Sequence, residues 1–299
     1  MTTLTEPATG GKPVANKAAL RKEASGNETP CNETLWQQIT EEVSAMAEQE
    51  PLLARFFQHT VLDHADLASA LSFHLANKLH SDITSAAMLR TVFDEAFAQQ
   101  PEIIDQIRCD IIATFERDSA CHTFATPLLY YKGFHALSAH RVSHWLWQQQ
   151  RQTLALVMQN RISMVFGVDI HPAARLGKGI LLDHATGLVI GETAVVEDCV
   201  SIMQSVTLGG TGKVSGDRHP KIRRGVLLGP GAKILGNISV GEGSKIVAAS
   251  VVLKDIPAHS IVAGVPAKVI GEMAANTERD EGDEPARKMD HSLEGCGCD

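Results

Sequence analysis

The chain has 299 residues, is 44% hydrophobic and carries a formal net charge of −8. That length suits one large domain or two modest ones with a genuine core, and the negative balance argues against a nucleic-acid surface. No uninterrupted apolar run reaches the length of a membrane span, and the opening MTTLTEPATGGKPVANKAAL lacks the apolar block of a signal peptide.

In chain order, residues 1–33 are polar and punctuated by Pro7, Gly10, Gly11, Pro13 and Pro30, so a disordered extension is expected. From Leu35 apolar residues recur at three- and four-residue spacings, the mark of amphipathic helices. Asn32-Glu33-Thr34 can cap the first helix, Pro51 marks a boundary, and Asp63 or Asp66 can cap the next. The stretches TSAAMLRTVFDEAFAQQ, EIIDQIRCDIIATFERD and TPLLYYKGFHALSAHRVSHWLWQQQ read the same way. Residues 34–165 are therefore predicted to form a helical domain. Within it Tyr130, Phe134 and Leu137 read as core. His59, His64, His74, His80, His122, His135, His140 and His144 show no ligand spacing and read as surface or packing residues.

After about residue 166 the rhythm changes. Ile170, Leu176, Leu182, Leu188, Ala194, Val200 and Val206 fall on a period of six. The phase slips by four, and Ile222, Leu228, Ile234, Val240, Ile246, Val252 and Ala258 resume the period. Neither a helix nor an ordinary strand has that period, whereas a coil of three short faces does. Residues 166–270 are predicted to be a parallel β-helix of hexapeptide repeats, with the aliphatic residue of each hexad pointing inward. Gly177, Gly229 and Gly241 follow the inward residue, where a corner can favour glycine. The slip locates a loop at residues 207–221, TLGGTGKVSGDRHPK, too rich in glycine to continue the column. Residues 271–299 hold nine Asp and Glu against three Lys and Arg and read as an acidic, flexible tail. Cys31, Cys109, Cys121 and Cys199 stand singly and Cys296-Gly297-Cys298 closes the chain. This is neither a disulfide framework nor a zinc spacing, so a reducing cytoplasm is the expected compartment.

Three Asp/His clusters coincide with the solenoid and its loop: Asp169-Ile170-His171-Pro172, Asp183-His184 and Asp217-Arg218-His219-Pro220. His184 lies two residues past inward Leu182 and should sit at the coil surface. Asp169 precedes it by fifteen residues, close to one coil of eighteen, so its carboxylate should lie one layer away and could orient the imidazole. Arg218 and His219 offer donors suited to a carboxylate. Lys213, Lys245 and Lys268 could meet the phosphates of a nucleotide.

The stretches YYKGFHALSAHRVSHWLW, VDIHPAARLGKGILLDHATGLVIGETAVVEDCVSIMQSVTLGGTGK and GDRHPKIRRGVLLGPGAKILGNISVGEGSKI closely resemble the serine O-acetyltransferase family, over roughly residues 35–270. DHATG, LGGTGK and DRHP in this order carry the likeness. The resemblance implies an α+β chain, an N-terminal all-helical domain followed by a left-handed parallel β-helix, that moves an acetyl group from acetyl-CoA to the hydroxyl of L-serine as the first step of cysteine synthesis. It implies His184 as general base and Asp169 as its orienting partner. Asp118 and Asp183 would hold the serine amino group, and Arg218 and His219 its carboxylate. Gly210 and Thr211 would border the site, with acetyl-CoA along a groove between subunits and no metal. It also implies solenoid trimers, hexamers of paired trimers, and L-cysteine as an inhibitor sharing the serine pocket. The chain departs from the family at Ser119, where many relatives have Pro, and at its last residue. The family's final Ile docks into O-acetylserine sulfhydrylase, and Asp299 argues against that partnership. The alternative reading is a hexapeptide acyltransferase acting on a sugar or an antibiotic alcohol.

Overall fold

The computed structural model describes residues 32–212, 215–273 and 285–289. Expectations for residues 1–31, Lys213, 274–284 and 290–299, including Cys31, Cys296, Cys298 and Asp299, lie outside the described residues.

The helices are α1 (Asn32–Gln49), α2 (Ala54–Phe57), α3 (Leu67–Leu79), α4 (Ala86–Gln99), α5 (Glu102–Arg117), α6 (Ala125–Tyr130), α7 (Lys132–Gln148) and α8 (Gln152–Phe166). A 3-10 turn at Pro51–Leu53 and a π turn at Gln58–Leu62 flank α2. Asn32-Glu33-Thr34, read as a cap, form the first turn of α1 instead. Asp66 caps α3 through a reciprocal box with Ser69, accepting its backbone N–H at 2.8 Å, and Ser85 caps α4. The apolar faces meet around Leu71, Leu75, Phe93, Ile107, Ile111 and Phe115, all fully buried.

The stretch 126–150, read as one helix, is two. Tyr131 leaves the helical region (φ −88°, ψ 108°) and separates α6 from α7. The break lets the start of α7 press onto the solenoid: a Cβ on Gly133 would collide with the Leu182 carbonyl oxygen. Phe134 and Leu137 are buried, but Tyr130 is 50% exposed and is not core. Gly167, in the left-handed region (φ 68°), closes α8 with its N–H on Ser163 O.

The next residue begins β1 (Val168–Ile170). The strands then follow in turn: β2 (Arg175–Leu176), β3 (Leu181–Leu182), β4 (Leu188–Ile190), β5 (Val195–Val196), β6 (Ser201–Ile202) and β7 (Thr207–Gly209). After the loop come β8 (Lys221–Ile222), β9 (Leu227–Leu228), β10 (Lys233–Leu235), β11 (Ser239–Val240), β12 (Lys245–Ile246), β13 (Val251–Val252), β14 (Ser260–Gly264) and β15 (Ala267–Glu272). Every third strand stacks in parallel: β1-β4-β7-β10-β13 form one face, β2-β5-β8-β11 a second and β3-β6-β9-β12-β14 a third, with β15 antiparallel at its end.

The registers revise the inward column. Ile170 pairs with Ile190, Leu176 with Val196 and Leu182 with Ile202, so the first coil is twenty residues long. Ile190 pairs with Leu208, eighteen on, and Leu208 with Ile234, twenty-six on. Leu188, Ala194, Val200 and Val206 are buried, but they stand two residues before the paired positions. Ala258 is exposed, and Ile256 bridges Val240 in its place. Two separate insertions, two residues at the DHATG corner and eight in the 207–221 loop, add ten residues, which is one period of six plus the apparent slip of four.

The helical domain grips the first coil through buried charge. Arg141 of α7 donates from Nη2 to Asp110 of α5 at 2.7 Å and to Gly177 O at 2.7 Å, and Asp110 accepts the Ile180 N–H at 2.9 Å. Burial raises the Asp110 pKa, while Arg141 and the Ile180 amide pull it back. The stretch expected to be a flexible tail includes a further helical turn, α9 (Pro285–Lys288), seated on the third face. Ala286 is fully buried there, and its carbonyl accepts from Ser201 Oγ at 2.9 Å. Small apolar Pro285 and Ala286 interrupt the acidic run and supply the surface that packs. No helix among the described residues is long and apolar enough to cross a membrane.

Candidate active site

The two-residue insertion shapes the corner between β3 and β4. It drives His184 (φ 54°) and Ala185 (φ 60°) into the left-handed region, a strained choice for non-glycine residues. The turn is locked by Thr186 N–H on His184 O at 2.8 Å and Gly187 N–H on Gly167 O at 2.8 Å. Ala185 goes inward and is fully buried, while the His184 side chain stands 71% exposed. Lys132 hydrogen-bonds Thr186 Oγ1, tying the corner to the start of α7.

Carboxylates gather beside it. Asp183 Oδ1 lies 3.8 Å from His184 Nε2. Asp118, at the C-terminal end of α5, accepts a hydrogen bond from the Tyr131 hydroxyl. Burial, that bond and the negative charges of Asp118 and Asp183 push the Tyr131 phenol up, so it stays protonated and remains a donor. The break at Tyr131 therefore turns its hydroxyl onto Asp118, within reach of the Asp183 charge. Asp169, on β1 one coil below Val189, accepts from Gln159 Nε2 at 2.7 Å. No hydrogen bond joins Asp169 to His184; the first coil is two residues longer than the eighteen from which their alignment was expected.

Arg218 and His219 lie elsewhere, at the corner between β4 and β5. The His219 ring covers Gly191, where a Cβ would collide with it. Its Nδ1 accepts the Thr193 N–H at 3.1 Å. Burial first, and then Arg218, lower its pKa, so the ring stays neutral near pH 7. Arg218 donates from Nη2 to Glu192 Oε2 at 2.6 Å, and this bond holds Glu192 below the usual carboxylate range. His171 shares the corner; it packs edge-on against Trp147 and accepts the Ala173 N–H at 3.1 Å. In one chain Arg218 and His219 are separated from His184 by the length of strand β4, and neither contacts it.

Gly210 packs against Arg218, and Thr211 is exposed beside Gly236. Lys268 is exposed on β15. Lys245 is corrected as a phosphate ligand: it is only 2% exposed, on an outer position of the third face that is buried along its length, Leu181, Ser201, Leu227 and Ile261 included. Sequence reasoning missed Tyr131, Gly191, Glu192 and Thr193. A signal for Gly191 was present. Once Ile190 is taken as inward, Gly191 follows it as Gly177, Gly229 and Gly241 follow theirs.

A helical domain fused to a hexapeptide-repeat β-helix, with an exposed histidine and acidic neighbours at an enlarged corner, defines a solenoid acyltransferase. The comparisons carry this further. Residues 35–139 match the family model described as serine acetyltransferase, N-terminal. The serine acetyltransferase of Salmonella typhimurium is 55% identical over 268 residues, 89% of this chain and 96% of that protein. A solved serine acetyltransferase in complex with cysteine is 52% identical with a TM-score of 0.83, covering 88% of this chain and 99% of that one. The Brucella abortus enzyme in complex with coenzyme A is 52% identical with a TM-score of 0.79, covering 81% and 97%. The chain belongs to the serine acetyltransferase family, and its helical domain and parallel β-helix are the architecture expected.

Proposed function

We propose that this chain transfers the acetyl group of acetyl-CoA to the hydroxyl of L-serine, with His184 as the general base. The observation that carries the reading is the corner itself: an exposed imidazole on a strained turn, with Asp183 at 3.8 Å and the Asp118–Tyr131 pair alongside. Neutral His184 removes the serine hydroxyl proton as the oxygen bonds to the thioester carbonyl carbon. The tetrahedral intermediate collapses, the C–S bond breaks, and the protonated imidazole returns the proton to the CoA thiolate. Such general-base help contributes about 10²–10⁴-fold, and holding both substrates together adds to it. Asp118 and Asp183 receive the serine ammonium. Asp169, one layer away, steadies the imidazolium once the exposed ring turns toward it. Gly210 and Thr211 flank acetyl-CoA, and Lys268 is a candidate for its phosphates. The relatives bound to coenzyme A and to cysteine support acetyl-CoA as co-substrate and L-cysteine as a ligand; because cysteine carries the same ammonium and carboxylate as serine, the same residues would receive it.

Arg218 and His219 sit at the opposite edge of the β1-β4-β7 face, so they reach the His184 corner of a neighbouring copy better than their own. We assign the complete site to the contact between two solenoids of a trimer. His184→Ala and His219→Ala chains would each be nearly inactive alone. Co-expressed, they would form mixed trimers in which some sites are intact, and activity would return in part. Recovery no greater than the sum of the parents would refute the shared site, while near-parental turnover of His184→Ala would refute the base.

A further inference from the structure

The corner that carries Arg218 and His219 has a hub that makes no contact with His184. Thr193 Oγ1 accepts two consecutive backbone amides, from Arg218 at 3.0 Å and His219 at 3.1 Å. The same oxygen lies 2.9 Å from His219 Nδ1, with the Asp217 carboxylate beside it to share the hydroxyl proton. The Thr193 N–H also donates to Nδ1, at 3.1 Å. An imidazole nitrogen that accepts carries no proton, so the ring proton of neutral His219 resides on Nε2. The Thr193 carbonyl oxygen in turn accepts from Lys221 Nζ at 3.0 Å, which fixes the far end of the same turn.

We propose that Thr193 is a positioning residue for substrate binding: its hydroxyl sets the Arg218-His219 turn and its N–H sets the His219 tautomer, so that Nε2–H and the guanidinium face a carboxylate together. The proposal rests on the reading of Arg218 and His219 as partners of the serine carboxylate. Without the hydroxyl, two amides lose their acceptor and the turn its register, although His219 itself is unchanged.

The test uses the full-length enzyme with Thr193→Val, Thr193→Ser and His219→Ala, and histidine labelled with nitrogen-15. In the parent, His219 should show an unprotonated Nδ1 and a protonated Nε2; the opposite tautomer overturns the proposal without any variant. Thr193→Val should raise KM for serine about tenfold, the size of one good hydrogen bond, and mix the two tautomers. It should leave kcat and KM for acetyl-CoA within about twofold, and Thr193→Ser should restore the parental values. Equal losses in kcat and both KM values would mark a merely structural residue and overturn the assignment. So would an unchanged serine KM in Thr193→Val when His219→Ala raises it. If His219→Ala leaves serine KM unchanged, the carboxylate reading fails instead. The nitrogen spectrum of Thr193→Val then decides the positioning claim: mixed tautomers support it, and a single parental tautomer overturns it.

Discussion

Inside the helical domain, charged and titratable side chains are buried among apolar ones: Asp110 against Arg141, Arg117 near Ser201, His74 against His135, and His140. Inside the β-helix, the column from Ile170 to Val252 is aliphatic throughout, and the functional groups ride on corners. The difference follows from geometry. Helices crossing at several angles leave irregular gaps that a hydrogen-bonded polar group can fill. A stacked coil repeats the same narrow interior positions layer after layer, which a column of aliphatic residues fills. The helical core therefore depends on pairing and protonation as well as packing, and the aliphatic column of the solenoid on packing.

The largest expected effect comes from breaking the Asp110–Arg141 pair. Asp110→Ala leaves a buried guanidinium unpaired and frees the Ile180 amide, and should lower the free energy of unfolding by about 3–5 kcal/mol, read by urea denaturation. A loss below about 1 kcal/mol would remove the contrast between the halves. Next comes acid. Burial lowers the His74 pKa from 6.5 to about 4, and those of His135 and His140 well below 6.5. The unfolded chain therefore binds protons that the folded one refuses. The stability these groups contribute is present above pH 6.5 and is lost as pH falls, by about 3 kcal/mol for His74 alone near pH 4. Glu42, raised to about 7 by burial, and Asp110, also raised, act in the opposite sense: their contribution is full at low pH and fades as pH rises. With His144 also lowered by burial, four histidines stand against two acids, and helical-domain amides should exchange hydrogen before β-helix amides at pH 4.5. Uniform exchange across both halves would contradict this.

In the column the effect should be smaller and indifferent to pH. Ile234→Val removes one buried methylene and should cost about 0.5–1.5 kcal/mol, equally at pH 5 and pH 8. The smallest change is expected at the surface, where Arg90 and Asp94 form an exposed pair at 3.8 Å. Arg90→Ala should shift stability by less than about 0.5 kcal/mol, in thermal unfolding.

The halves also differed in how far they could be read from sequence. Period six was plain because large aliphatic residues recur along most of the solenoid. Its phase was not, because the positions two before the inward residue are also apolar: Leu188 before Ile190, Ala194 before Val196, Val200 before Ile202 and Val206 before Leu208. A frame displaced by two still lands on apolar residues, so the short insertion at DHATG was merged with the long one, and Gly191 lost its meaning. In the helical half, apolar spacing continues unbroken through Tyr131, so the break that assembles Asp118, Tyr131 and Asp183 left no periodic trace. The partners of Asp110 and Arg141 belong to different elements, and no spacing within one helix reveals them. His184 was legible as a surface group. The carboxylate within 4 Å is Asp183, its sequence neighbour; the spacing that paired it with Asp169 assumed a coil of eighteen, and the first coil has twenty.

The two insertions have a consequence for how such a chain can change. Each coil is held at fixed circumference by the coils above and below it, so residues added at a corner cannot lengthen a face and must project outward. Corner length is then free to vary while every layer keeps its neighbours, as the twenty- and twenty-six-residue coils already demonstrate. New recognition loops grafted at an unused corner, such as the one between Leu228 and Ile234, should leave the remaining layers in place. The solenoid is in this respect a rack of interchangeable turns, and the present chain has filled two of them.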